Sequence, residues 1–398
     1  MTVTISGLSL LILSIFVHYL GNFITRHIHA LEEYNIPAPV TGGLLVSLLF
    51  TLLREQGWIQ PVFELELRNL FLLMFFSTVG LSARLSLLMS GGRTFVILIG
   101  VMCVFLCLQN ALGLGAALVL GETPDKGLLA GSVAFAGGHG TAITWGLHLE
   151  GEGYKNAQEF GLAAATLGLI LGGVLGGPVA QRLIVKKRLY DNSTESPYVL
   201  EGQPLNEFSH VTIDRVIRVM LEIALTIAVG KLINEWLQKQ HLVIPEYLPV
   251  LLVGVVIANI TDVMKIRSDA GTLRIWSEVS MAICMAMSLM SLQLETLTQT
   301  ASSLMVITVL QSIMIVIFGY HILFRLAGRD YDAAVITSGF IGSGLGATPV
   351  GMANVDTITQ RFGMSPKAML IIPLLGSFFT DVMNAMVLRT FLGLPVFH

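Results

Sequence analysis

The chain has 398 residues, of which 12% are charged and 54% are apolar, and its mean hydropathy is +0.76. Since a typical soluble domain carries about 25% charged residues, this chain could not cover a water-exposed surface. The composition excludes a soluble globular protein and indicates a membrane protein with several spans. The formal net charge of −3, without a basic patch, argues against a nucleic-acid partner.

Continuous apolar runs of about 20 residues predict α-helical spans and argue against the alternating pattern of a β-barrel. The predicted spans are residues 5–25, 36–53, 69–89, 95–120, 159–184, 215–237, 247–263, 276–294, 302–325 and 366–389. Two further apolar stretches, 127–148 and 333–355, are rich in Gly, Ser, Thr and Pro and would make poor lipid-facing helices. We predict that each forms a re-entrant hairpin, which enters and leaves the membrane on one face.

The polar stretch 186–214 divides the chain almost in half and predicts a linker. Residues 1–185 and 215–398 share one order: four spans, a Gly-rich segment and one span. Gly137 and Gly344 occupy matching positions. Five spans per half would give the halves opposite orientations. The predicted fold class is therefore an all-α polytopic membrane protein with two inverted-topology repeats, each of five transmembrane helices and one re-entrant hairpin.

The distribution of positive charge favours the same topology. With both termini outside and both Gly-rich segments re-entrant, most of the 23 Lys and Arg residues fall on the inner side, together with the linker. If either Gly-rich segment crossed the membrane fully, the later loops would change sides and this asymmetry would weaken.

A broken segment in each half of an inverted repeat is typical of a secondary transporter, with its site near mid-membrane. Glycine permits a tight hairpin tip, and the free N–H groups of the following helix favour an anion. The substrate-binding candidates are Gly137, Gly138, His139, Gly140, Thr141, Ser343, Gly344, Gly346, Thr348 and Pro349. Alternatively, the small residues only allow close helix packing. His139 could bond a carboxylate, carry a proton or tie the tip to a neighbour.

Polar side chains inside spans are costly unless they are paired, and two groups of them are candidates for a cation site. Asp381 and Asn384 lie three residues apart on one helix face, directly after Thr380, while Gln109 and Asn110 lie in the middle of the fourth span. Carboxylate, amide and hydroxyl oxygens suit a hard cation such as Na⁺. The alternative for both groups is an interhelical hydrogen-bond network.

Other features narrow the function further. The sequence has no phosphate-loop motif, no H-E-x-x-H and no G-x-S-x-G, so we expect no enzyme and no ATP hydrolysis. No arginine falls in the middle of a span, so helix N-termini, backbone N–H groups and hydroxyls would have to hold an anionic substrate. Glu222 is expected to pair with Arg218, one turn earlier, in a structural role.

Six motifs in order carry a resemblance to a known family. They are Ile36-Pro-Ala-Pro-Val-Thr-Gly-Gly-Leu-Leu45, Gly137-Gly-His-Gly-Thr141, Leu171-Gly-Gly-Val-Leu-Gly-Gly-Pro-Val-Ala180, Asp330-Tyr-Asp-Ala-Ala-Val335, Gly344-Leu-Gly-Ala-Thr-Pro349 and Gly376-Ser-Phe-Phe-Thr-Asp-Val-Met-Asn-Ala385. With these motifs the chain resembles the bacterial sodium/glutamate symporter family over nearly all of its length.

The resemblance implies Na⁺-coupled uptake of L-glutamate across the bacterial inner membrane by a homodimer, with Na⁺ as coupling ion and no other cofactor. It also implies an elevator-type motion. In an inner membrane, the topology favoured by the positive charges would place both termini in the periplasm and the linker in the cytoplasm. The family's hairpin glycines map onto Gly137, Gly138, Gly140, Gly342, Gly344 and Gly346. The chain departs from the family pattern at Ala142-Ile143-Thr144 and at Thr380, so substrate choice or ion affinity could differ.

Three alternatives stay open at this point. The first is a symporter of the same architecture that carries another carboxylate or is driven by protons. The second is a gated channel, which the discontinuous hairpins disfavour because a pore needs a continuous lining. A membrane enzyme is a distant third.

Overall fold

The computed structural model describes residues 2–28, 37–83, 92–189, 212–240, 245–265, 268–292 and 294–397. Most of the predicted linker, residues 190–211, lies outside this part of the chain, as does the end of the predicted span 69–89.

Helices make up nearly all of the described chain. The first half contains β1 Thr2–Ile5, α1 Gly7–His27, α2 Ala38–Glu55, β2 Gln60–Phe63, α3 Glu66–Ser82, α4 Gly92–Val119, α5 Pro124–Leu128, α6 Gly138–Gly151 and α7 Ala157–Lys187. The second half contains α8 Ile213–Lys239, α9 Tyr247–Val263, α10 Ala270–Met290, α11 Leu294–Phe318, α12 Phe324–Leu326, α13 Tyr331–Phe362, α14 Pro366–Leu374 and α15 Thr380–Leu392. Side-chain caps begin several helices; for example, the Asp330 carboxylate accepts a hydrogen bond from the Ala333 N–H (2.7 Å).

The expectation of an all-α chain misses one short element. β1 and β2 pair in parallel, with Thr2 opposite Gln60 and Ile5 opposite Phe63. The β-branched residues of β1 favour an extended chain, and Pro61 is tolerated because both strands of a two-stranded sheet are edge strands.

Within the described chain, seven helices are long and apolar enough to cross a membrane. They are Gly7–His27, Ala38–Glu55, Thr94–Val119, Ala157–Lys187, Ala270–Met290, Ala301–Leu326 and Tyr331–Phe362. The chain is therefore a polytopic helical membrane protein. The other predicted spans correspond to helices that are shorter, more charged or interrupted.

One interrupted span is the last one, predicted over 366–389 as a single helix. The structure instead places a π-helical turn, Leu375–Phe379, between α14 and α15. Pro373 inside α14 lacks an N–H group, so the regular hydrogen-bond ladder cannot continue unchanged through this region. The Thr380 hydroxyl donates to the carbonyl of Leu375, five residues earlier (3.0 Å).

The chain forms two compact units, and each draws on both halves of the sequence. The first unit comprises Met1–Leu85 and Gln203–Gln299, and the second comprises Ser86–Gly202 and Thr300–His398. The predicted repeat boundaries concern the order of segments along the chain and stay a prediction.

In the first unit, α3 packs against α9 and α10, and α2 packs against α1 and α10. Glycines bring α1 and α2 together: a methyl group added to Gly21 would lie 1.8 Å from the carbonyl oxygen of Ala38, and one added to Gly42 would lie 2.0 Å from that of Val17. Small residues at a helix interface allow such close approach in membranes. The Arg218 guanidinium lies 3.3 Å from the Glu222 carboxylate, which confirms the predicted pair.

In the second unit, α13 packs along α7, and α6 also lies against α7. The short α5 and the end helix α15 both pack against α4. This arrangement surrounds the two Gly-rich segments with helices from both halves of the chain. All the predicted site residues lie in this unit.

Candidate functional site

The first Gly-rich segment is a broken helical hairpin. Its first arm, α5 and a π-helical turn over Leu129–Val133, loses helical geometry at Ala130 and Gly131. Its second arm is α6. A methyl group added to Gly161 of α7 would lie 3.2 Å from a Leu129 methyl carbon and 3.4 Å from the Cβ of Ala142, so both arms lie against the same point of α7.

The second Gly-rich segment, α13, is also folded back on itself. Its Tyr331 hydroxyl donates to the carbonyl of Gly363, just beyond the other end of the helix. A methyl group added to Gly342 would lie 2.7 Å from the Cα of Gly351. These contacts join residues at equal distances from one bend, so the two arms of α13 run antiparallel.

The bend in α13 lies at Gly346 and Ala347, where the backbone leaves helical geometry. Ala347 has φ 68° and ψ 173°, a region that is essentially reserved for glycine and that costs about 1–3 kcal/mol for other residues. In the first hairpin, Gly138 has φ +72°. A methyl group added to Gly138 would lie 2.8 Å from the Cβ of Ala347, so the two tips meet.

A polar cluster lies beside the first tip and joins α4, the first hairpin and α15. Asn110 Oδ1 accepts hydrogen bonds from the backbone N–H (3.0 Å) and the hydroxyl (2.9 Å) of Ser132. The same hydroxyl lies within hydrogen-bond distance of Asn384 Oδ1, and Asn384 Nδ2 donates to the Ser132 carbonyl (3.0 Å). Asn110 and Asn384, predicted separately, are thus joined through Ser132, which the sequence did not single out.

Three oxygen atoms converge in this cluster. The Ser132 hydroxyl has one proton, yet it approaches both Asn110 Oδ1 and Asn384 Oδ1. Asn110 Nδ2 is buried and has no hydrogen-bond partner within the described part of the chain. Because Asn110 Oδ1 also accepts from the Ser132 N–H, the hydroxyl proton is free for Asn384 Oδ1. The three converging oxygens are of the type that a hard cation such as Na⁺ prefers.

Asp381 lies on the same helix as Asn384 and faces the first tip. The Thr141 hydroxyl donates to the carbonyl of Gly137 (3.0 Å) and lies 3.4 Å from Asp381 Oδ1. Asp381 is buried. A buried carboxylate is stable only when positive charge or hydrogen bonds compensate its lost hydration, so this position can attract a cation.

Gln109 is oriented toward the second hairpin instead of the Asn110 cluster. Its amide donates to the carbonyl of Gly344 (2.8 Å). Gln311, on α11 in the second half of the chain, donates to the carbonyls of Gln109 (2.7 Å) and Ala130 (3.1 Å). Each glutamine thereby bonds the hairpin of the opposite half.

His139 lies buried in the first tip and contacts α7. Its Nε2 lies 3.2 Å from the Thr166 hydroxyl oxygen. That hydroxyl donates to the carbonyl of Leu162 (2.9 Å), which leaves its oxygen free to accept a hydrogen bond from an Nε2–H of His139. The geometry favours the tethering role among the three that the sequence left open.

The remaining predicted residues lie on the second tip and near it. Ser343 and Gly344 end the first arm of α13, and the Ser343 hydroxyl is buried without a partner among the described residues. Thr348 and Pro349 begin the second arm, and Thr348 packs against Gly376. Thr380 donates to Leu375 in the preceding π-helical turn, so its hydroxyl proton is not directed at the Asn110 cluster.

The comparisons with known proteins identify a family. A family model described as the sodium/glutamate symporter matches residues 3–364. The chain is similar to the sodium/glutamate symporter of Escherichia coli (strain K12), with 39% identity over 385 residues and 95% of each chain covered. It is similar to the sodium/glutamate symporter of Shigella flexneri at the same identity and coverage, and to that of Haemophilus influenzae, with 35% identity over 398 residues and 98% of each chain covered.

Proposed function

The chain belongs to the sodium/glutamate symporter family, and from that premise we propose that it takes up L-glutamate together with Na⁺ across the bacterial inner membrane. The observation that carries the proposal is the meeting of the two hairpin tips at Gly138 and Ala347 beside buried oxygen-rich side chains. Irregular backbone inside a membrane protein is tolerated where it is buried or lines a cavity, and it is where transporters bind substrates.

The tips would hold the substrate carboxylates. The first turn of a helix leaves backbone N–H groups without an intrahelical acceptor, and α6 and the second arm of α13 both begin at a tip. Thr141, Ser343 and Thr348 add hydroxyl donors. No arginine lies in the middle of a span, so these neutral donors would replace an ion pair with the substrate.

Na⁺ would bind between the first tip and the helices α4 and α15. Asp381 supplies the negative charge, while Asn110, Asn384 and Ser132 supply neutral oxygens, as a hard cation prefers. With Na⁺ in place, Ser132 and Thr141 would be fixed relative to α15, so the first tip would be ordered before substrate arrives. Coupling follows if glutamate binds this ordered tip more tightly than the free one.

The transport step would be an elevator-type motion of the second unit. This unit contains every predicted site residue, so substrate and Na⁺ would travel together with it. The first unit would serve as the scaffold of a homodimer. In this proposal residues 1–185 and 215–398 are inverted repeats, segments 127–148 and 333–355 are re-entrant, both termini are periplasmic and linker 186–214 is cytoplasmic.

Uptake of labelled L-glutamate into proteoliposomes tests the proposal. We expect saturable uptake that requires an inward Na⁺ gradient and ceases when choline replaces Na⁺. Uptake that continues in choline and follows a pH gradient would identify a proton-coupled carrier, and stronger competition by another carboxylate than by glutamate would change the substrate. Current without saturable, stoichiometric uptake would identify a channel.

A further inference from the structure

A cavity of about 460 Å³ opens at the surface of the second unit, between α7 and the end of α11. Its lining residues come from α7, α11 and the turn that follows α11, and include no residue of the hairpin tips. Val179 and Ile317 form part of an apolar wall, while Arg182 and Lys186 of α7 face Tyr320 and His321 across the polar part. The lining therefore combines an apolar surface with a concentration of positive charge.

The two cations of the cavity lie close together. Arg182 and Lys186 are four residues apart on one face of α7, about 6 Å along the helix axis. Both are exposed, and among the described residues neither forms an ion pair. Like charges at this spacing repel each other, so an anion bound between them would be stabilised by both.

The position of the cations along α7 matches the boundary between lipid tails and headgroups. The 31 residues of α7 span about 46 Å, whereas the hydrocarbon core is about 30 Å thick. If the core is centred on the helix, Arg182 falls near its edge and Lys186 lies beyond it, at headgroup level. The apolar wall at Val179 then faces the acyl chains.

The opposite wall owes its shape to a π-helical turn, Gly319–Leu323, which follows α11. The wider turn interrupts the regular helix where Tyr320 and His321 line the cavity, and their rings are 4.9 Å apart. Both side chains can donate a hydrogen bond to a phosphate oxygen. Such a turn is frequently found at functional sites.

We propose that this cavity binds an anionic phospholipid. Arg182 and Lys186 hold the phosphate, Tyr320 and His321 complete its hydrogen bonding, and an acyl chain lies along Val179 and Ile317. The apolar wall favours a lipid over a free anion, and the paired cations favour an anionic headgroup over a zwitterionic one. This proposal does not depend on which substrate the protein carries.

Native mass spectrometry of the purified full-length protein tests it, with phosphatidylglycerol, phosphatidylethanolamine and sn-glycerol 3-phosphate as probes. We expect the wild type to bind phosphatidylglycerol at least about tenfold more tightly than phosphatidylethanolamine. Arg182→Gln/Lys186→Gln should lose that preference. Lys187→Gln, which removes a neighbouring cation that lies over the Phe324 ring 5.0 Å away and does not line the cavity, should keep it.

A second variant tests the apolar wall independently. Val179→Trp should weaken binding of both phospholipids, because the larger side chain fills the space of the acyl chain, while both charges remain. All variants are first compared by size-exclusion chromatography to confirm that they are folded. Unchanged phosphatidylglycerol preference in Arg182→Gln/Lys186→Gln would overturn the proposal. Binding of sn-glycerol 3-phosphate as tight as that of phosphatidylglycerol would also overturn it, since the cavity would then be a site for a soluble anion.

Discussion

Gly138 and Ala347 meet so closely that a methyl group added to Gly138 would lie 2.8 Å from the Ala347 Cβ. Both residues have positive φ angles, 72° and 68°. Gly138 adopts this conformation without strain, whereas Ala347 is held in it by the surrounding structure. Strained backbone of this kind is often found at ligand clamps and switches, which is the role proposed for the two tips.

Replacing Gly138 by Ala should therefore abolish most transport. The added methyl group would push against Ala347. The new alanine would also have to adopt φ +72°, a conformation that costs about 1–2 kcal/mol for alanine. We expect Na⁺-driven glutamate uptake to fall at least about tenfold at equal amounts of folded protein. The matched control is Gly115→Ala in α4, where an added methyl group would meet nothing within 4 Å. Equal uptake by the two variants would contradict the proposed role of the tip contact.

Asp381→Asn tests the charge in the proposed Na⁺ site. The substitution keeps the size of the side chain but removes the negative charge that faces Thr141, so Na⁺ should bind more weakly. We expect the Na⁺ concentration for half-maximal uptake to rise at least about tenfold, which corresponds to about 1.4 kcal/mol. Asp356→Asn, an exposed carboxylate on the second arm of α13, is the control and should leave this concentration unchanged. Wild-type Na⁺ dependence in Asp381→Asn would remove Asp381 from the site.

Ser132→Ala tests whether the oxygen cluster acts as a unit. The variant loses the hydroxyl that joins Asn110 to Asn384, so Na⁺ should bind more weakly. We expect the Na⁺ concentration for half-maximal uptake to rise several-fold. Adding Asn384→Ala to this variant should raise that Na⁺ concentration by a smaller factor than Asn384→Ala does in the wild type. The reason is that residues in one network are coupled by about 0.5–3 kcal/mol. Thr357→Ala, which removes an exposed hydroxyl bonded only within its own helix, is the matched control. Fully additive effects of Ser132→Ala and Asn384→Ala would argue against a shared cation.

Local sequence signals located the two irregular segments but not their contacts. The breaks at Gly131 and Gly346 fall inside the predicted hairpins 127–148 and 333–355, because runs of Gly and Ser interrupt otherwise apolar helices. Glycine content alone could not predict that Gly138 would meet Ala347, since that approach depends on how the arms pack against α7.

In the polar cluster, too, the sequence predicted some of the residues but not how they contact each other. That Asn110 and Asn384 would each have a buried polar partner could be predicted, because polar side chains within apolar spans need partners. Ser132 was not, since a serine in a Gly-rich segment carries no such signal and its partner Asn384 is 252 residues away. The same holds for Thr166, whose hydroxyl resembles many others within α7 until His139 is seen beside it.

Glu222, which pairs with Arg218, should not take part in transport. Glu222 is buried in the first unit, which contains none of the predicted site residues, and its side chain is 10% exposed while that of Arg218 is 41% exposed. Because Arg218 is partly exposed, the pair should contribute about 1 kcal/mol or less. We expect Glu222→Gln to lower the thermal unfolding temperature by about 1 °C or less, without changing the Na⁺ dependence of uptake. Arg218→Gln should have the same effect. The double variant should lose less stability than the sum of the two single losses, because both substitutions remove the same ion pair. A shift in Na⁺ dependence in Glu222→Gln would instead place this carboxylate in the ion pathway and would undermine the assignment of all coupling residues to the second unit.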